Sequence, residues 1–181
     1  DVVSSLPVDS FSFRQQKSAG QFNTGLIKTL SDGELRLSHA FAHTSFTGLD
    51  EANPFNEYGL ETSRQRQAMS RSLTGEKHNW LLEVSRSEIR AENTGLYSIR
   101  ETDAAGLIAC DYKMAEATSL NAVFRHDKPQ HHAGVETGNL SLLHKTRGLD
   151  ISVAWGRSFR MPALNERFYP AYGDPSLGAE Y

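Results

Sequence analysis

The chain has 181 residues, enough for one domain of ordinary size, with a formal net charge of -3 and 23% charged residues. That balance excludes the strongly basic footprint of a nucleic-acid binder, and no run of ~18 apolar residues offers a transmembrane helix. A single cysteine, Cys110, excludes an intrachain disulfide and argues against a thiolate metal centre.

No capped segment with apolar residues at i, i+3 and i+4 marks a helix. Instead, period-2 segments alternate with connections of two sizes. The chain opens Asp1-Val2-Val3, with no methionine and no basic-then-apolar leader, as expected of a processed chain or a piece of a longer one. A first strand is possible around Phe11 and Phe13. After Gly20, Phe22, Leu26 and Leu30 share one parity and run into Asp32-Gly33, a strong hairpin signal between alternating runs. Leu35, Leu37 and Phe41 return on the next strand, with His39 and His43 on the same face as packed or interfacial residues. A long connection over 47–63 contains Asn53-Pro54. The segment 64–73 is the weakest strand, because Gln65, Gln67 and Arg71 share a face with Met69 and Leu73.

A second short turn, 73–77, leads to Trp80, Leu82 and Val84. Arg86 and Glu88 continue that face, the pattern of a strand that leaves a membrane and stands above it. A long connection over 91–103 precedes a strand over 104–114, where Cys110 joins Ile108 and Tyr112 as a lipid-facing or packed thiol. A third turn over 114–118 leads to Leu120, Ala122 and Phe124, opposite Asn121 and Arg125. The connection 127–134 holds Pro129, and a fourth turn spans 145–148. Then Leu149, Ile151, Val153, Trp155 and Phe159 alternate with Asp150, Ser152, Ala154, Gly156 and Ser158, giving one oily face and one small, polar face. A long loop with prolines at 162, 170 and 175 follows.

Short and long connections taking turns is the asymmetry of outer-membrane barrels, although soluble antiparallel sheets alternate in the same way. Strand length favours the membrane. The segments over 104–114 and 149–160 are ~10 to 12 residues, against ~5 to 6 for soluble strands and ~9 to 11 for spanning ones. Trp80 and Tyr112, close to short turns, occupy interfacial positions. The expected fold is all-β: an antiparallel up-and-down transmembrane β-barrel, partial, with about eight to nine strands in an open curved sheet. Its lipid face is expected to hold Phe22, Leu35, Leu37, Phe41, Trp80, Leu82, Val84, Ile108, Tyr112, Leu120, Phe124, Ile151, Val153 and Trp155, and the four short turns share one rim, with the long connections at the other.

Catalytic signatures are missing. There is no G-x-S-x-G, no phosphate-cradling G-x-x-x-x-G-K-[ST] and no H-E-x-x-H, so no enzyme is expected. His126, Asp127, His131 and His132 are metal-ligand types. They fall in an exposed loop beside Pro129 with adjacent histidines pointing apart, so neither a metal nor another cofactor is expected.

The last quarter of the chain resembles a known family. TonB-dependent outer-membrane receptors carry a strand ending in Tyr-Gly-x-x-Phe-Arg-Ala-Pro, then Asn-Glu-Leu-Tyr, then Gly-Asn-Pro-x-Leu-x-Pro-Glu. Here the matching run is Trp155-Gly156-Arg157-Ser158-Phe159-Arg160-Met161-Pro162, then Asn165-Glu166-Arg167-Phe168-Tyr169, then Gly173-Asp174-Pro175-Ser176-Leu177-Gly178-Ala179-Glu180. Met161, Asp174 and Ala179 depart from the family's Ala, Asn and Pro; order and spacing are kept. The close match covers roughly 30 residues, and upstream only the rhythm is shared.

The resemblance implies that residues 1–181 are part of a receptor barrel of about 22 strands around a plugged lumen. The family's plug domain and TonB-contacting box have no counterpart in these residues. It further implies an outer-membrane location in a Gram-negative bacterium, energy delivered by TonB through the plug, and uptake of a large scarce ligand, cobalamin or a ferric siderophore. The family's haem receptors carry a histidine between the two motif halves, and 163–173 has none. Candidate ligand-binding residues are Arg160, Asn165, Glu166, Tyr169, Tyr172 and Asp174, which bring charge, amide and aromatic area to the long loop. Two other classes fit the alternation: a soluble all-β module of carbohydrate-binding type, and a small self-closed outer-membrane barrel.

Overall fold

The computed structural model describes residues 13–50, 58–169 and 172–181. Eight strands follow one another: β1 (Phe13–Leu30), β2 (Gly33–Asp50), β3 (Tyr58–Thr74), β4 (His78–Asn93), β5 (Tyr97–Ala115), β6 (Thr118–Pro129), β7 (Val135–Lys145) and β8 (Asp150–Arg157), with one short helix, α1 (Leu164–Phe168). They form a single antiparallel sheet in chain order, β1 to β8. Each strand pairs with its sequence neighbour, and β1 and β8 are its two free edges. The fold is therefore all-β, up-and-down and open, a partial barrel. Among the described residues the eight strands do not close on themselves, which removes the small self-closed barrel. Phe13 begins β1, whereas Phe11 lies outside the described residues.

The register sorts side chains onto two faces. Phe22 lies opposite Phe41 and Leu26 opposite Leu37; Leu37 lies opposite Met69 and Met69 opposite Val84. Leu82 lies opposite Ile108, Ile108 opposite Phe124, Leu120 opposite Leu142, and Leu142 and Leu140 opposite Val153 and Trp155. Directly opposed residues project to the same side, so these apolar residues form one continuous face, while Ile27, Leu81, Leu107 and Val123 lie on the other. No second layer covers it among the described residues: Leu26 is 73% exposed and Trp155 67%. Buried hydrophobic side chains among the described residues come down to Ala91 and Val135. A soluble sandwich would bury this face in a core, and the described residues form no such core. The other face carries Asn121 bonded to Asp111 at 2.6 Å and Arg66 paired with Glu83 at 2.5 Å.

Arg71 shows how the weakest strand fits. It lies in the apolar face between Leu35 and Leu82. Its guanidinium reaches on along the strand to the Asp32 carboxylate in the first turn and to the Ser72 carbonyl. The aliphatic stem stays in the apolar row while the charge reaches the rim.

The four short turns share one rim, as their spacing predicts. Thr74 N–H donates to Asp32 C=O at 2.8 Å, Lys113 N–H to Lys77 C=O at 2.7 Å, and Lys145 N–H to Ala117 C=O at 2.8 Å, stitching neighbouring turns together. Gly33 has φ +143°, and a Cβ there would run into the Ser72 carbonyl, so the turn requires glycine.

At the opposite rim one expectation is corrected. The connection expected over 91–103 is only the turn 94–96, with Gly95 at φ +72°. β4 and β5 run up to it as a ladder, Glu92 opposite Ser98 and Arg90 opposite Arg100. Charged residues on both strands give this stretch the composition of a loop, but ladder hydrogen bonds keep it extended. β8 ends at Arg157, earlier than the expected 160. Part of the connection expected over 47–63, including Asn53-Pro54, lies outside the described residues; the rest belongs to β2 and β3. At ~3.3 Å per residue, the 18 residues of β1 and β2 span roughly 60 Å, about twice a ~30 Å hydrocarbon core.

Candidate functional site

The segment after β8 folds back over the polar face. Arg160 N–H donates to Glu180 C=O at 2.9 Å and Glu180 N–H to Arg160 C=O at 3.0 Å, closing the intervening chain into a loop. The Arg160 guanidinium contacts Glu166 at 3.3 Å and Glu180 at 3.2 Å. Glu166 also accepts the Ala163 N–H at 2.5 Å. Ala163 precedes α1 and Glu166 is its third residue, so this is the reach-back half of a capping box. That backbone N–H, assisted by Arg160, holds the Glu166 carboxyl below the usual glutamate value, against a smaller opposing effect of desolvation.

Asp174 accepts the Ser176 N–H at 2.8 Å and its hydroxyl at 2.6 Å, a side-chain turn that lowers the Asp174 pKa. Tyr169 and Tyr172 stack with centroids 5.3 Å apart. Of the six residues expected to bind ligand, the structure thus joins Arg160 with Glu166 and Tyr169 with Tyr172, while Asp174 shapes its own turn. Asn165 contributes backbone to α1, and its side chain lies outside the described atoms.

An ion pair anchors the loop to β5. Arg167 donates from both Nη atoms to the two oxygens of Glu101 on β5, at 2.8 and 2.7 Å. The pair is bidentate and buried, with Arg167 3% exposed. The Arg167 guanidinium also lies 4.7 Å from the Phe168 ring centroid, and Phe168 meets Tyr97 at 6.3 Å. In the sequence Arg167 stands only as a member of the Asn165-to-Tyr169 run. The connection-like make-up of 91–103 hides Glu101; the available signal is the face it shares with Ile99 and Asp103 if the stretch is extended.

Between loop and sheet lies a cavity of about 490 Å³. Arg64, Arg66, Asp103, Arg125, Asp127, His131, His132 and the Glu101–Arg167 pair line it, with Phe159, Met161 and Leu164 from the loop. Arg125 forks onto Asp127 at 2.6 and 2.8 Å. None of the six expected residues is among the lining residues. Their polar groups organise the loop, and the loop roofs the cavity. The lining can hold a polar ligand through guanidinium, carboxylate and imidazole groups. The histidine group is split: Asp127 is paired with Arg125, whereas His126 projects to the opposite face, 3.9 Å from Glu136. Among the described residues no group of three or more His, Cys, Asp or Glu could hold a metal ion.

No family model and no curated protein sequence matches the chain. Its fold is similar to that of the siderophore receptor PirA from Pseudomonas aeruginosa, with a TM-score of 0.70 over 91% of this chain and 14% identity. The chain spans about a third of that receptor, 34% of its length. At that identity the likeness is one of fold: this sheet superimposes on part of a receptor barrel.

Proposed function

We propose that the chain is part of the barrel wall of a TonB-dependent transporter in the outer membrane of a Gram-negative bacterium. The observation that carries this reading is the sorting of faces. Eight long up-and-down strands place an uncovered apolar face on one side and a charged face with a roofed cavity on the other. Lipid is the solvent that accepts the first, and a hydrated lumen the second. The fold likeness to a siderophore receptor supports the same reading and favours a ferric siderophore over cobalamin as the ligand.

In this role the wall makes and breaks no bonds. It encloses the ligand, and the loop after β8, fastened by Arg167 to Glu101, shapes the polar face near the rim opposite the short turns. TonB would act through a plug domain seated in the lumen.

Uptake by cells tests this reading. Deleting the gene should abolish uptake of a ⁵⁵Fe-loaded siderophore while leaving ⁵⁷Co-cobalamin uptake unchanged. Loss of cobalamin uptake instead would reassign the ligand. Recovery of the protein in the soluble fraction, with both uptakes intact, would overturn the transport role.

A further inference from the structure

The apolar face is not uniform. Around Gly106 on β5 it holds a groove of about 490 Å³, lined by Met69, Leu82, Val84, Ile108 and Phe124. Gly106 lies between Val84 on β4 and His126 on β6. A Cβ built on it would meet nothing within 4 Å, so bare backbone floors the groove.

Two residues further along β5, away from the short turns, stands Ala104. Its direct cross-strand partners are Arg86 on β4 and Lys128 on β6. Arg86 is exposed and has no ion-pair partner among the described residues. The Lys128 ammonium donates only to the His132 carbonyl, at 3.4 Å. Nearby cations behave differently: Arg90 and Arg100 both close on Glu88 at 2.7 Å. Two strand spacings put the Arg86 and Lys128 backbones roughly 10 Å apart. Their long side chains can converge over Ala104, where only a methyl group intervenes.

We propose that this surface holds one phosphate-bearing lipid, with an acyl chain in the groove over Gly106 and the phosphate between Arg86 and Lys128. The inference rests on the membrane reading of this face. A hydrocarbon trough that ends at two uncompensated cations, where the apolar band gives way to charge, complements an anionic lipid. A zwitterionic lipid would fill the trough but bring no net charge to the cations.

The test uses the full-length protein in detergent, titrated with diphosphoryl lipid A and read by native mass spectrometry. Dioleoylphosphatidylcholine serves as competitor and inorganic phosphate as a control. The expected result is one retained lipid A that phosphatidylcholine does not displace. Arg86→Ala with Lys128→Ala should weaken retention by roughly ten- to thirty-fold, and Gly106→Leu should expel the lipid by filling the groove. Equal retention by the double variant overturns the site, as does displacement by phosphatidylcholine, equal binding of inorganic phosphate, or a protein dimer in place of the adduct. Brominated-chain lipids in nanodiscs separate this failure from failure of the membrane reading. Quenching of Trp155, taken as the difference from Trp155→Phe, must persist if the face is in lipid. Persistent quenching with unchanged lipid A retention in the double variant sinks the lipid site alone; absent quenching sinks both.

Discussion

Arg167 and Glu101, 66 residues apart in the chain, meet in a two-pronged ion pair at 2.7 and 2.8 Å beneath α1. Every strand pairing in the sheet joins chain neighbours. This contact instead spans from the last segment to β5, and it sets where the final loop lies on the polar face.

Breaking that pair should release the loop and spare the sheet. Arg167→Ala leaves a buried carboxylate without its partner, a change on the order of 3 to 5 kcal/mol. Hydrogen exchange over 158–169 and 172–181 should accelerate while β1–β4 amides stay protected. Replacing both residues by Leu and Met should restore much of the protection. Unchanged exchange in Arg167→Ala would show that other contacts hold the loop.

Acid should loosen the same loop from within. The Ala163 N–H, with Arg160, depresses the Glu166 pKa below its ordinary value of 4.5. A depressed carboxyl stabilises the folded loop fully above that ordinary value, and the contribution fades as pH falls through the lower, folded value. The ¹³C titration of the Glu166 carboxyl should therefore have its midpoint below 4.5. Arg160→Ala should raise it only part of the way, since the backbone N–H is the larger cause. A wild-type midpoint at or above 4.5 contradicts the geometry.

Adjacent positions on β8 should respond oppositely to the same substitution. Val153 is 65% exposed on the apolar face, and Ser152 projects to the other. Arginine at 153 should cost roughly 2 to 4 kcal/mol near the bilayer midplane, and arginine at 152 far less. Urea titration of the full-length protein in liposomes measures both. Equal costs would mean that lipid does not meet this face.

Gly33→Ala should be costly and Gly20→Ala nearly silent. The first forces a side chain onto φ +143° and into the Ser72 carbonyl, whereas a Cβ at Gly20 meets nothing within 4 Å. Strain of that kind is about 1 to 3 kcal/mol. Refolding yield and urea midpoint of the two variants make the comparison, and parity between them would refute the turn geometry.

Arg71→Leu should keep or raise stability, because its direct partners Leu35 and Leu82 are apolar. Asp32→Ala should lower it, by leaving Arg71 in the apolar band without its carboxylate. Thermal unfolding in micelles gives the order. A larger loss in Arg71→Leu than in Asp32→Ala would show that the pair itself, and not relief of a stranded charge, sustains the turn.

Alternation and turn chemistry in the sequence determined the sheet. Phe22, Leu37, Leu82, Ile108, Phe124 and Val153 declare their face by parity, and Asp32-Gly33 declares its turn, because both signals are local and a one-residue slip would flip the face. Only the tertiary structure decided that 91–103 is ladder rather than loop, since cross-strand hydrogen bonds keep polar residues extended whatever their composition. It also decided that Arg160, Glu166 and Asp174 organise the loop while Arg64, Arg66, Asp103 and Arg125 line the cavity. That division depends on where Arg167 finds Glu101, and the side-chain periodicity of a single strand carries no information about a partner 66 residues away.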